Sequence, residues 1–401
     1  MDKALINDSL AKLLDYVESE DYAGYDPYDT LNSFVPFHWL GKWGPVLAIQ
    51  VQKRNPVNIR PLIGVRKERN PKAIGLFLRA YCLLYRKTGE QQYLDRAHEM
   101  FTWLKEHPSS GYSKYCWGYN FPWASPVKYV DAYVPSVVAT GFVAKGIYEY
   151  WCVMRERPDD VARGRLDEIR EVLTGAADFV LQHLDRIKDE TGVCISYTPE
   201  MKDACYNASL LGAEILARYL AVVPARDNES DIHQLIEASV DFVTARQLEN
   251  GCWNYSIDLA TGKERRQIDF HQGYVIESME EIVRLTGKRK PEWEQAVVKG
   301  LEFYRQQQFT DDGRSWWRLP KERPVEIHNQ SQGIVTFSMF DEYRAFAETI
   351  AEYTIQNMQD SDGYFYYQKF PLYTNRISYM RWSNAWMTVA LCALSVKSSA
   401  I

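Results

Sequence analysis

Apolar stretches at helical spacing recur six times along the chain, and a short polar segment precedes each of them. They begin near residues 71, 134, 206, 271, 328 and 381, which leaves room for two helices and a loop per repeat. Amphipathic and charged segments such as 163–172 lie between the apolar stretches. The pattern predicts six helical hairpins, each with an inner helix that is apolar on nearly every side and an amphipathic outer helix.

The hairpins can be assigned residue by residue. The predicted inner and outer helices are 71–85 with 91–105, 133–154 with 163–184, 206–223 with 232–248, 271–285 with 291–308, and 328–344 with 347–358. The sixth inner helix spans 380–396, and only the amphipathic segment 4–19 is left as its outer partner. A short strand is expected at 192–198. The sequence therefore predicts an all-α (α/α)6 toroid in which residues 1–401 form one domain.

Composition narrows the functional classes. Hydrophobic residues make up 46% and charged residues 25%, as in soluble globular proteins, and the net charge of −6 provides no basic surface for nucleic acid. No stretch approaches the roughly 20 apolar residues of a membrane span. The seven scattered Cys, without a C-x-x-C pair, fit reduced thiols in a cytoplasmic protein. Nucleotide-binding, dinucleotide-binding and metalloprotease motifs are absent, so no cofactor or metal is expected.

Candidate chemistry lies where the inner helices begin. In such a toroid their N-termini meet at one end, where free N–H groups and positive dipole ends favour an anionic ligand. The catalytic candidates there are His271, His328, Tyr206, Tyr133, Asp131, Asp269 and Glu326. The substrate-binding candidates are Arg381, Trp382 and Asn207 at helix starts, with Tyr25, Asp26, Tyr28, Asp29, Trp117, Tyr119, Asn120 and Trp123 in two aromatic loops.

Several chemistries fit these residues. His and Tyr side chains with an Arg clamp suit removal of the proton next to a uronate carboxylate, as in C5-epimerases and lyases. Asp131 or Asp269 as acid, with Glu326 as partner, suits glycoside hydrolysis. Aromatic rings without a titratable pair would indicate a non-catalytic glycan-binding subunit. Structural roles are also open: Asp269 can cap its helix, both histidines can be buried hydrogen-bonding groups, and Arg381 can simply stack on Trp382.

Two resemblances add to this prediction. The Gln, Gly and aromatic turns at 247–253, 308–316 and 359–365 resemble those of terpenoid-cyclase and six-hairpin glycosidase toroids. At 22–33, 58–62, 70–72, 116–123 and 269–274 the chain resembles prokaryotic proteins encoded among surface-polysaccharide and glycan biosynthesis genes. Some members carry a delta-aminolevulinic acid dehydratase label, which does not fit, because that enzyme is a TIM barrel with Schiff-base lysines and nothing here alternates strand and helix.

At the level of the fold, the chain is similar to glucuronyl C5-epimerases, unsaturated-glucuronyl hydrolases and polysaccharide lyases. Their catalytic residues do not match this chain one by one, so none is carried over. The resemblance implies an enzyme that acts on an anionic, uronic-acid-containing glycan or lipid-linked oligosaccharide during its assembly, most concretely a C5-epimerase. This analogy concerns the fold and says nothing about individual residues.

Overall fold

Helical hairpins follow one another around a ring. The computed structural model describes residues 3–125, 129–157, 160–223 and 228–395 of the chain. The inner helices are α3 (Pro71–Thr88), α5 (Val137–Arg155), α7 (Tyr206–Val222), α9 (His271–Thr286), α11 (Ile327–Ser338) and α13 (Trp386–Ser395). The outer helices are α1 (Lys3–Ser19), α4 (Gln91–Glu106), α6 (Asp160–His183), α8 (Glu229–Thr244), α10 (Pro291–Gln308) and α12 (Arg344–Met358). Each inner helix packs on its inner neighbours, and α13 on α3 closes the ring, which confirms the predicted toroid.

The starts of the inner helices agree closely with the sequence prediction. The second and the sixth differ by more than one residue. The second begins at Val137, because Ser136 is its N-cap and accepts a hydrogen bond from the backbone N–H of Ala139 at 3.1 Å. The preceding Tyr133 has a left-handed φ of 63° and lies in a turn. The sixth becomes α-helical only at Trp386, because a π-helical turn occupies Met380–Ala385. In the sixth hairpin α1 packs against α12 and α13, as predicted. The predicted last residue of its inner helix, Val396, lies outside the described residues.

One α-helix was not predicted from the sequence. Helix α2 (Trp43–Arg54) lies between α1 and the first hairpin, and a 3-10 turn (Phe37–Leu40) precedes it. Val46 and Ile49 are buried, whereas Trp43, Leu47 and Val51 on another side are exposed. Because both sides carry apolar residues, the segment has no clear amphipathic period, and its sequence pattern does not predict a helix.

Short antiparallel strands hold the loops in front of the inner helices. They form two hairpins, β1 (Trp123–Ala124) with β2 (Tyr129–Val130) and β3 (Arg186–Asp189) with β4 (Gly192–Ile195). Two further sheets have three strands each. In one sheet the order is β5 (Ala204–Cys205), β6 (Ser256–Asp258), β7 (Lys263–Arg265). In the other sheet the order is β10 (Thr374–Ser378), β9 (Tyr366–Lys369), β8 (Val325–Glu326). The strand expected at 192–198 is therefore present as β4.

The axis of the ring is charged. Glu277 accepts hydrogen bonds from Arg79 Nη1, Lys145 Nζ and Gln332 Nε2, each at 3.0 Å. Lys145 also lies 3.2 Å from Glu214 Oε1, so side chains of five inner helices meet here. The expectation that the inner helices are apolar on nearly every side is therefore wrong along this axis, where charges are buried because they are paired.

The remaining sequence expectations concern the membrane and the thiols. Within the described part of the chain, no helix is long and apolar enough to cross a membrane. All seven Cys are buried free thiols. Burial raises the pKa of Cys116 to about 12, so this thiol stays protonated and inert at neutral pH.

Candidate active site

Two histidines on adjacent inner helices share one aromatic environment. His271 is the first residue of α9, and His328 is the second residue of α11. The Phe270 ring lies 4.2 Å from both imidazole centroids. Tyr274, one turn along α9, contacts both imidazoles, with centroid distances of 5.7 and 5.9 Å. The imidazoles therefore flank a single ring at the end of the toroid where the inner helices begin.

Asp269 orients His271. Its Oδ1 lies 2.5 Å from His271 Nδ1 and accepts the backbone N–H of His271 at 3.3 Å. Oδ2 accepts from Gln267 Nε2 at 3.0 Å and lies 3.3 Å from Arg318 Nε. Burial by itself would raise the pKa of Asp269, but His271 and Arg318 outweigh it and lower that pKa. An ionised Asp269 favours the tautomer with the proton on Nδ1, and it binds both the side chain and the backbone of His271.

His328 forms a second pair with Tyr274. Its Nε2 lies 2.6 Å from the Tyr274 hydroxyl, and Nδ1 has no hydrogen-bond partner within the described residues. Burial and the nearby charges of Lys72 and Arg381 lower the pKa of His328 well below 6.5. Burial also raises the pKa of Tyr274. At neutral pH a neutral imidazole therefore faces a protonated phenol, and the two form a buried hydrogen-bonded pair.

Lys72, which was not among the sequence candidates, lies against aromatic rings that also contact His328. Its Nζ is 4.1 Å from the Phe142 ring centroid, 5.3 Å from that of Trp386 and 5.7 Å from that of Tyr274. The structure gives this amine no ion pair or hydrogen bond to any described residue. Burial, together with the charge of Arg381, lowers the pKa of Lys72 well below 10.5. An anionic ligand beside this amine would raise its pKa and so favour its charged form.

Arg381, the expected substrate clamp, is already engaged. It lies in a π-helical turn (Met380–Ala385) before α13. Its Nε donates to Asp26 Oδ2 at 2.6 Å and its Nη2 to Asp26 Oδ1 at 2.7 Å. The guanidinium also stacks 4.8 Å above the Tyr119 ring. The structure thus commits Nε and Nη2 to Asp26, so this two-pronged contact is not available to a substrate carboxylate.

Asp26 and Asp29 organise the loop after α1. Arg60 Nε donates to Asp29 Oδ1 at 2.6 Å, and the Asp26 backbone N–H donates to Asp29 Oδ2 at 2.8 Å. Burial raises the pKa of Asp29 to about 6 despite Arg60. These contacts hold the loop in the position in which Asp26 binds Arg381. Asp29 therefore supports the site without contacting the imidazoles.

Glu326 positions an aromatic wall. Its Oε1 accepts from Trp382 Nε1 at 3.0 Å, and Oε2 accepts from Trp317 Nε1 at 3.0 Å and Gln368 Nε2 at 2.9 Å. The Trp382 ring then lies 4.5 Å from His328. Among the described residues, no group of three or more His, Cys, Asp or Glu side chains could hold a metal ion.

Tyr28 and Tyr119 extend this wall. The Tyr28 ring lies 5.4 Å from Trp382, and Lys53 of α2 donates to the Tyr28 hydroxyl. The Tyr119 ring stacks on Phe121 at 5.4 Å. The structure therefore brings together nine sequence candidates, either at the imidazoles or directly behind them: His271, His328, Asp269, Glu326, Arg381, Trp382, Asp26, Tyr28 and Tyr119.

The other candidates lie outside this group. Four of them form hydrogen bonds elsewhere: the Tyr206 hydroxyl donates to Glu264, the Trp117 indole N–H to the Leu104 carbonyl and the Asn120 amide to Glu68, and the Asn207 amide oxygen accepts from Cys205. The Trp123 ring packs on Tyr197. Asp131 and Tyr133 are exposed. Tyr25 lines a depression of about 350 Å³ with Lys67 and Arg376. This open space does not reach the imidazoles, so the site is located by its chemistry and not by cavity volume.

No family model matches the chain, and neither does any curated protein. Solved structures do resemble it. A cellobiose 2-epimerase from Bacillus thermoamylovorans B4167 has 14% identity and a TM-score of 0.60 over 82% of this chain and 89% of that one. A GH76 α-mannanase from Bacteroides thetaiotaomicron has 13% identity and a TM-score of 0.59 over 81% and 86%. A D-mannose isomerase has 11% identity and a TM-score of 0.56 over 82% and 87%.

These similar structures are (α/α)6 toroid enzymes, and at such identities the likeness establishes the fold alone. The class defined here is thus an (α/α)6 toroid with two histidine pairs where the inner helices begin. The expected polysaccharide-biosynthesis context receives no support from the comparisons and stays a prediction.

Proposed function

We propose that the protein is a carbohydrate-active enzyme of the epimerase or isomerase type, which removes a proton from a sugar carbon and returns one. The observation that carries the proposal is the presence of two hydrogen-bonded pairs, Asp269–His271 and Tyr274–His328, on either side of Phe270. The names of similar folds, a sugar epimerase and a sugar isomerase among them, are consistent with this chemistry. The most concrete form of the proposal is a C5-epimerase for a uronic-acid-containing glycan.

The two pairs would act in sequence. His271 Nε2 takes the C5 proton, and the ionised Asp269 stabilises the imidazolium that forms. The electron pair of the broken C5–H bond moves into the substrate carboxylate. Tyr274 then donates its proton to the opposite face of C5, which forms the new C–H bond. The proton gained by His271 and the proton lost by Tyr274 are exchanged with water between turnovers.

Lys72 would supply the positive charge that this step needs. The intermediate carries its extra charge on the carboxylate, and a preorganised cation in a dry site stabilises such charge strongly. Lys72 has a buried amine without an anionic partner among the described residues. We therefore transfer to Lys72 the carboxylate-binding role first expected of Arg381, while the Trp382 ring offers a face for the sugar to stack on.

The test is proton exchange in deuterated water. The protein is incubated with a panel of uronic-acid oligosaccharides, and NMR follows deuterium at C5. The proposal expects deuterium to enter without chain cleavage, and His271→Gln to reduce exchange at least about 100-fold. Tyr206→Phe is the matched control, because its hydroxyl bonds Glu264 away from the imidazoles, and it should exchange like the wild type. Cleavage without exchange would refute the proposal in favour of a hydrolase or lyase.

The two alternatives draw less support. A hydrolase needs a free carboxylate pair, yet Asp131 lies on the exposed rim and three neutral donors occupy Glu326. A glycan-binding subunit would not require proton-transfer pairs beside its aromatic wall. We also propose, from the family resemblance, that the substrate is an anionic, uronic-acid-containing glycan or a lipid-linked oligosaccharide in glycan assembly.

A further inference from the structure

An apolar surface is exposed around α2. Trp39 and Leu40, in the 3-10 turn before the helix, are 81% and 75% exposed. Trp43, Leu47 and Val51 follow at intervals of four residues and share one side of α2, with exposures of 49%, 58% and 68%. We call these five residues the α2 patch. Such a contiguous group of large apolar side chains in water marks an interaction surface.

The charged residues in the segment that carries the α2 patch are all basic. Residues 30–67 contain no Asp or Glu, although the whole chain has 53 acidic and 47 basic residues. The basic residues of this segment are Lys42, Lys53, Arg54, Arg60, Arg66 and Lys67. Arg60 is buried against Asp29, whereas Lys42, Arg54 and Arg66 are exposed. The segment therefore carries six positive charges on a chain whose net charge is −6.

The other side of α2 faces the candidate active site. Lys53 donates to the Tyr28 hydroxyl, and its Nζ lies 5.4 Å from the Trp382 ring. The helix also packs on the 3-10 turn Asp29–Asn32 and on β1. Whatever binds the α2 patch is thereby held next to the aromatic wall of the candidate active site.

We infer that the α2 patch docks the protein on an anionic lipid surface. A helix that presents Trp and Leu beside Lys and Arg lies in the interface of a bilayer, with its apolar side chains among the acyl chains and its cations at the headgroups. A second copy of the chain fits less well, because a twofold contact would bring identical cationic rims together. The inference rests on exposure and charge, and it does not depend on the proposed reaction.

The test uses the full chain and two kinds of vesicle, phosphatidylcholine alone and phosphatidylcholine mixed with phosphatidylglycerol. Flotation measures the bound fraction. We expect binding to the anionic vesicles, with weakening at high salt. The triple variant Trp39→Ser, Trp43→Ser, Leu47→Ser should bind more than about tenfold more weakly. Lys42→Gln and Arg54→Gln should each weaken binding about fivefold.

The control replaces an exposed apolar residue elsewhere. Val298 on α10 is 55% exposed, and Val298→Ser should bind vesicles like the wild type. The substituted side chains are exposed, so circular dichroism melting should verify that every variant folds. Wild-type binding by the triple variant, or no binding to anionic vesicles by the wild type, would overturn the inference. So would a dimer in sedimentation that the triple substitution dissociates, because the α2 patch would then serve self-association.

Discussion

The charged axis of the ring leads to a quantitative prediction for Glu277→Gln. The substitution keeps the shape of the side chain but removes the anion that Arg79 and Lys145 share. Those neighbours lower the pKa of Glu277, against the effect of burial, from 4.5 to about 2. A shift of this size corresponds to about 3 kcal/mol, which agrees with the roughly 3–5 kcal/mol lost when a buried ion pair is broken. We expect the free energy of unfolding to fall by about 3 kcal/mol.

The measurement is urea unfolding followed by far-UV circular dichroism. For a chain of 401 residues the same loss lowers the melting temperature by about 4 °C. Glu280→Gln on the same helix is the matched control. Glu280 is half-buried, and its contact with the exposed Arg289 is a long one of 3.9 Å, so we expect the free energy of unfolding to change by no more than about 0.5 kcal/mol. Equal stability of the wild type and Glu277→Gln would refute the reasoning.

The same prediction has a pH dependence. A lowered carboxyl pKa stabilises the folded state above the unfolded value of 4.5, and this contribution is lost as the pH falls toward 2. The stability difference between the wild type and Glu277→Gln should therefore be full at pH 7 and shrink below pH 4.5. A difference that stayed constant down to pH 2 would show that packing, and not charge, causes the loss.

Three further predictions concern the candidate active site. Tyr274→Phe removes the hydroxyl that bonds the buried His328, so it should cut deuterium exchange about 100-fold and lower the free energy of unfolding by only about 1 kcal/mol; an unimpaired rate would exclude Tyr274 as the acid. Binding of a uronate should draw a proton onto Lys72, because burial lowers the pKa of this amine, and calorimetry in buffers of different ionisation enthalpy should detect the uptake in the wild type but not in Lys72→Met. Arg381→Lys breaks the two-pronged contact with Asp26 and should cost about 2 kcal/mol of stability, measured by urea unfolding; no loss would mean that the contact does not hold the loop.

The fold was largely readable from the sequence, because its repeating unit is a local pattern. The apolar stretches at 206 and 271 correspond to α7 and α9 with no shift in their starts. Helix α2 was missed because the same local rule fails when both sides of a helix are apolar. The paired charges of Arg79 and Glu277 were missed for a different reason: they are 198 residues apart, and spacing along the chain does not tell which charges meet.

The site was predictable in part. The position of a residue at the start of an inner helix follows from the pattern, and for His271 and His328 this was sufficient. The direction of its side chain depends on the rotation of that helix, which the pattern does not set. Tyr206 also opens an inner helix, yet its ring packs 6.3 Å from Phe242 on an outer helix. Lys72 was overlooked because its significance arises only where α3, α5, α9 and α13 converge.

The place of α1 in the ring has a consequence for the order of assembly. Its contacts with residues that follow α12, such as Gln359 Nε2 on the Ser9 carbonyl at 3.0 Å and Tyr16 Oη on Ser378 Oγ at 2.9 Å, join residues 350 and 362 positions apart. Leu13 and Val17 of α1 are fully buried in the folded protein. During synthesis they remain exposed to solvent until the last inner helix has been made. The ring therefore has a seam where its earliest and latest helices meet, and closing this seam is the step that completes the fold.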